Sequence, residues 1–186
     1  STAVRIVVLN LGIHLEKQLT APVTPILQGQ TVTFTLTLRN TGNAAIAHNA
    51  ITLIDPLCAS GPQLQPEAGV TDDNELDADP DGNLSNGIAG EVWHYACVVP
   101  AVLDNFTNTA QVQALDRSGR SFAHSAQAAV TVLNPGLAVI QAVYPTQVNA
   151  GAPLTWTTRL FNTGEVAFHA VQVHTNKPFC PPIGPL

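Results

Sequence analysis

The feature that most constrains this chain is an internal repeat, because self-similarity of this length means that each copy is one structural unit. Asn40-Thr41-Gly42 recurs as Asn162-Thr163-Gly164. At the same offset, Gly29 pairs with Gly151, Phe34 with Trp156 and Cys58 with Cys180. Farther upstream, "VVLNLGIHLEK" matches "TVLNPGLAVIQ" at a slightly larger offset, so the first copy carries two extra residues near Thr24-Pro25. The opening "STAVRIVVLNLG" resembles "SAQAAVTVLNPG". Residues 1–11 therefore read as the last strand of a preceding repeat, residues 12–133 as a complete repeat, and residues 134–186 as the first half of a following one. On this reading the chain is a window on a longer array. The alternative is a self-contained protein with one additional N-terminal strand.

Within the repeat the apolar residues follow a period of two. Val32, Phe34, Leu36 and Leu38 alternate with Thr31, Thr33, Thr35 and Thr37, which buries one face of a strand and wets the other. The Asn40-Thr41-Gly42 triplet then supplies turn residues tolerant of positive φ. Residues 46–54 read as the next strand, ending at Asp55-Pro56. Residues 92–99 alternate around Trp93, Tyr95 and Cys97, and residues 109–115 and 121–132 flank the "DRSG" hairpin turn, its Gly placed for a left-handed residue. No segment shows helical periodicity. About seven short strands per repeat, spaced by turns, predict an all-β fold of tandem immunoglobulin-like β-sandwich repeats. Trp93 and Trp156 both sit on alternating apolar faces and are expected in the core.

Composition closes off several functions. Seven Lys and Arg against thirteen Asp and Glu give a net charge of −6, and seven scattered cations form no basic footprint for nucleic acid. No apolar run approaches the roughly 20 residues that span a bilayer. His14, His48, His94, His124, His169 and His174 show no metal-ligand spacing, and there is neither a phosphate loop nor a nucleophile elbow. No catalysis is expected. The "TDDNELDADPDGNLSNGIAGE" segment is different, since Asp77, Asp79 and Asp81 alternate before Gly82 and Asn83. Several oxygen ligands around a Gly-permitted bend suit Ca²⁺. Ile88 stands where an EF-hand needs an acidic residue, so the segment is not one. A solvated acidic loop is the alternative.

The ordered set "GQTVTFTLTLRNTGNA", "ITLIDPLC", an acidic loop, "GEVWHYAC" and "FTNTAQVQALDRSGRS" resembles the bacterial and archaeal surface repeat known as domain of unknown function eleven. The resemblance covers the complete repeat and the partial one, although the acidic loop here is longer and less regular. It implies an extracellular immunoglobulin-like sandwich, repeated in cell-wall, sheath or envelope proteins, with no catalytic activity. It also implies a disulfide between Cys58 and Cys97. Cys180 would then be the first cysteine of the next repeat. Three free thiols in a reducing compartment are the alternative. The matching family loop suggests Glu91 as the residue closing a Ca²⁺ site made by Asp77, Asp79, Asp81 and Asn83, with affinity on the order of 10⁻⁴ to 10⁻³ M.

Surface sandwiches of related architecture also suggest an intramolecular isopeptide bond. Lys17 lies on the first strand of the repeat, Asp55 at the end of another and Asn108 at the start of a late one. The chemistry requires burial, which favours the neutral amine as nucleophile and the neutral acid as proton shuttle. The second copy has Gln141 and Lys177 at the matching places and is expected to lack the bond. The alternative is an exposed lysine, a strand-ending aspartate and a turn asparagine.

The functional expectation is a structural repeat of a secreted, cell-surface or extracellular filament, sheath or adhesin protein. It would act as a rigid spacer or an assembly subunit, partnered by other copies or repeats of itself, because "LNLG" and "LNPG" are too short to be floppy linkers. A lone first strand could also complete a neighbour's sheet edge. The alternative is an extracellular module binding carbohydrate or protein. An aromatic content of 5% leaves few stacking platforms for sugars.

Overall fold

The computed structural model describes residues 9–22, 25–66, 74–78, 91–116, 119–174 and 176. Two compact units divide at Val132/Leu133. The strands are β1 (Ile13–Ala21), β2 (Ile26–Leu27), β3 (Val32–Asn40), β4 (Ile46–Ala47), β5 (Ile51–Ile54), β6 (Gln63–Gln65), β7 (Glu75–Leu76), β8 (Val92–Val99), β9 (Phe106–Leu115), β10 (Ser121–Val130), β11 (Val132–Leu133), β12 (Leu137–Tyr144) and β13 (Thr155–Asn162). Among the described residues the only helical element is a single 3-10 turn, His48–Ala50.

In the first unit, a four-stranded sheet of order β1-β3-β8-β6 faces a three-stranded sheet of order β10-β9-β5. The period-two pattern decides which faces meet. On β3, Val32, Phe34, Leu36 and Leu38 are all fully buried, while the threonines between them are half-buried on the outer face. β-Branched threonine suits that outer, pleated surface. On β8, Trp93, Tyr95, Cys97 and Val99 point inward. The antiparallel register places Phe34 opposite Cys97, Leu36 opposite Tyr95 and Leu38 opposite Trp93, so the buried residues of neighbouring strands pack side by side. From the other sheet, β9 contributes Asn108, Ala110, Val112 and Ala114. Phe34 and Phe106 meet edge to face at 6.4 Å between ring centroids, a contact that joins the two sheets across the core. At one flank the Leu15 N–H donates to Nδ1 of His124 on β10 at 3.1 Å.

Residues 46–54, expected as one strand, are two strands separated by the 3-10 turn. β4 pairs with β7 and β5 with β9. One straight strand cannot reach both partners, so the backbone breaks at His48–Ala50. The segment expected at 121–132 similarly ends at Val130, and the short β11 pairs instead with β2. Gly119 of the hairpin turn has φ of 81°, as its place in "DRSG" requires.

In the second unit the described residues form one two-stranded sheet, β12 with β13, not a second sandwich. Trp156, expected in a core, is 41% exposed. Its counterpart Phe34 is fully buried. The difference is physical: among the described residues of this unit no second sheet faces the hairpin.

One local device nevertheless recurs in both units. Thr41 N–H donates to the Gly12 carbonyl at 3.0 Å and Asn43 N–H to the Asn10 carbonyl at 2.8 Å. The counterparts, Thr163 to Gly136 and Glu165 to Asn134, are both 2.9 Å. The asparagine before each turn accepts from the glycine N–H, Asn40 from Gly42 and Asn162 from Gly164. Its amide donates onward to Ala44 or Val166. The turn therefore clasps the chain that leads into the first strand. Glycine is required because a Cβ at Gly42 would fall on the Asn10 carbonyl oxygen and lie 2.9 Å from the Gly12 nitrogen. Gly42→Ala is expected to cost about 1–3 kcal/mol through forced displacement of the clasp, read as a lower urea midpoint with an unchanged slope.

Candidate functional site

Three polar residues stand where the strand pattern calls for apolar ones. On β1, Lys17 is in phase with Ile13 and Leu15, which point into the core. On β9, Asn108 is in phase with the buried Ala110, Val112 and Ala114. Asp55 directly follows β5 and is also buried. The edge position of β1 leaves some of Lys17's backbone exposed, but the side chains of Lys17 and Asp55 are both completely buried.

The three groups converge on one oxygen. The Lys17 ammonium is ion-paired with Asp55 Oδ2, and Asn108 Nδ2 donates to the same oxygen at 3.1 Å. The second carboxylate oxygen, Oδ1, accepts the Leu57 N–H at 3.1 Å. Lys17 Nζ also lies 4.5 Å from the centroid of the Phe34 ring. Among the described residues Asn108 Oδ1 has no hydrogen-bond partner although it is buried, a costly state for an amide oxygen. Burial pushes the Lys17 pKa below its usual 10.5, and the hydrogen bond and charge of Asp55 offset this only in part. The arrangement brings an amine, a carboxyl group and a carboxamide together in the buried core.

A disulfide adjoins this cluster. Cys58 and Cys97 are bonded, with Cα atoms 5.2 Å apart and 39 residues of separation. The bridge ties the turn after β5 to β8, and so links one sheet to the other. Cys97 Sγ lies 3.4 Å from Asp55 Oδ2 and 3.9 Å from Asn108 Nδ2. A disulfide sulfur carries no proton, so the first contact is packing rather than donation. Asp55, Cys58 and Cys97 are close enough to suggest metal ligands, but the two sulfurs bond each other and are no longer thiolates.

The acidic segment is reached only at its base. Glu91 N–H donates to the Asp77 carbonyl at 3.1 Å, and Glu91 Oε2 accepts the Asp77 N–H at 3.2 Å. Asp79, Asp81 and Asn83 lie outside the described residues, as do Lys177 and Cys180. Gln141, the counterpart of Lys17, is exposed and its amide lies 3.5 Å from Thr158 Oγ1. Sequence reasoning picked out Lys17, Asp55 and Asn108 but missed Leu57 and Phe34. A turn N–H carries no side-chain signal, and Phe34 reads as one more core aromatic.

No protein-family model matches the chain, so the resemblance to the surface repeat rests on the residues quoted for it. No curated protein matches it in sequence. Among solved structures, the chain is similar to BcpA, the major pilin subunit of Bacillus cereus, with a TM-score of 0.42 and 11% identity over 92% of this chain. The match spans 65% of the pilin chain. A likeness at this level leaves the function to be argued from the chain's own residues. No helix among the described residues is long and apolar enough to cross a membrane.

The disulfide closes a loop long enough for removal to matter. Replacing Cys58 and Cys97 together by Ala is expected to destabilise the first unit by about 4 kcal/mol on the loop-entropy account, measured by denaturant unfolding under oxidising conditions. Reductant added to the wild-type chain should reproduce most of that loss.

Proposed function

We propose that this chain is a non-enzymatic structural segment of a secreted surface or extracellular assembly, a filament, sheath or adhesin stalk. It is built from immunoglobulin-like units and acts as a stiff spacer or assembly subunit among other copies or repeats of itself. The observation that carries this reading is the clasp present in both units, in which the Asn-Thr-Gly turn holds the segment leading into its own first strand. A chain meant to bear tension gains from having no slack before each unit. The backbone bonds of the clasp must break before that segment can extend.

Two further features favour the reading. The Cys58–Cys97 bridge persists in oxidising compartments outside the cytosol. It also ties sheet to sheet, so it limits how far the first unit can extend under force. The low charge density, 11% Asp, Glu, Lys and Arg, and the threonine-lined outer face of β3 suit a surface exposed to its surroundings for long periods.

The reading is tested on intact source cells with an antibody to the first unit. Gold label on the envelope or on surface fibres, removed by external protease, is the expected result. Label confined to the interior of permeabilised cells would overturn it.

A further inference from the structure

We propose that Lys17 and Asn108 become joined by an autocatalytic amide bond between Nζ and Cγ, with Asp55 as the proton-transferring carboxyl group. The geometry carries this. Each residue projects from a different segment into the same core: Lys17 from β1 of one sheet, Asn108 from β9 of the other, and Asp55 from the turn after β5. All three side chains are buried. The lysine ammonium and the asparagine amide share one Asp55 oxygen, while the Asn108 carbonyl oxygen has no partner among the described residues. As a permanent arrangement this is unfavourable, because a buried ion pair is desolvated on both sides and an amide oxygen is left unsatisfied. As the starting state of a reaction it is well arranged, with nucleophile and electrophile both held against the shuttle carboxylate and all three side chains buried.

The step balances without a co-reactant. A proton passes from the Lys17 ammonium to the Asp55 carboxylate, which leaves a neutral amine and a neutral acid. Burial already disfavours the charged lysine. With Asp55 protonated, a half-turn of the Asn108 amide lets its oxygen accept from the acid, which satisfies the orphaned acceptor and polarises the carbonyl. The Nζ lone pair then attacks Cγ. The tetrahedral intermediate loses a proton from Nζ through Asp55 to Nδ2, the Cγ–Nδ2 bond breaks, and ammonia leaves. Asp55 ends protonated and hydrogen-bonded to the new amide. Nothing is oxidised or reduced. The reaction runs once per chain and makes no diffusing product other than ammonia.

The disulfide contributes by position. Cys97 Sγ packs against both Asp55 and Asn108, so it fills volume that water would otherwise occupy beside the reacting groups. The Phe34 ring, beneath Nζ, closes the other side. The product would be a second covalent tie between the sheets. Unlike the disulfide, it would not respond to reductant. The inference stands on the three side chains and not on the surface-assembly reading. A cross-linked chain found inside cells would sink that reading and leave this one intact.

The test is the intact mass of the folded chain, purified with its disulfide in place and then reduced. A mass one ammonia below the sequence value is expected, with a protease fragment joining the Lys17 and Asn108 peptides. Asp55→Asn, close to isosteric, should restore the full sequence mass. Asn108→Ala should do the same, and circular dichroism should show both variants still rich in strand. A folded wild-type chain of full mass overturns the proposal. So does an ammonia loss that maps elsewhere, for example to a succinimide at Asn86-Gly87.

Discussion

A lysine ammonium buried between two β-sheets is the constraint on which the rest of the first unit turns. Removing such a charge from water is expensive, and the cost is tolerable only if an opposite charge and hydrogen bonds are already in place. Asp55 supplies the charge, Leu57 N–H fixes the carboxylate, and Asn108 completes the cluster. Each comes from a different part of the chain, so the cluster exists only when β1, β5 and β9 are all correctly placed. The polar centre therefore specifies strand arrangement in a way that interchangeable core valines and leucines do not. Phe34, which lies against the Lys17 amine, and Leu15, Leu36 and Val112 are buried members of the same core.

The disulfide and the polar cluster occupy the same place in the core, and that location has a consequence. β8 belongs to one sheet and the turn after β5 to the other, so the bridge fixes the gap between the sheets at the very point where the ion pair must be kept dry. Lysine, aspartate and cystine depend on one another: the sulfur excludes water, and the Asp55–Cys58 turn, closed by a 3.2 Å bond from Cys58 N–H to the Asp55 carbonyl, sets the sulfur. Elsewhere the unit relies on ordinary devices, such as the Asn-Thr-Gly clasp and the His124 side chain that caps an open backbone N–H on β1.

Much of this was legible in the sequence. The alternation on β3 and β8, the "DRSG" hairpin and the Asn-Thr-Gly turn are local patterns, and local patterns report backbone geometry directly. Lys17, Asp55 and Asn108 were singled out by likeness to related surface sandwiches, with an exposed lysine and a turn asparagine as the alternative. Their phase with buried neighbours became visible only once the strands were placed. The break at His48–Ala50 was not legible, because Ile46 to Ile54 reads as one continuous extended run and the change of partner is a property of β7 and β9. Nor was the exposure of Trp156, since its strand carries the same pattern as that of Phe34.

The sequence by itself determined the all-β character, the repeated turn and the inward and outward faces of the first unit's main strands. These follow from side-chain period and turn chemistry, which act over a few neighbouring positions. Only the tertiary structure decided that Lys17, Asp55, Asn108 and the Cys58–Cys97 bridge share one buried pocket, and that similar strands are buried in the first unit and exposed in the second. Proximity between residues 17, 55 and 108 depends on how two sheets stack, and burial depends on what covers a face. Neither is encoded in the local pattern of any one strand.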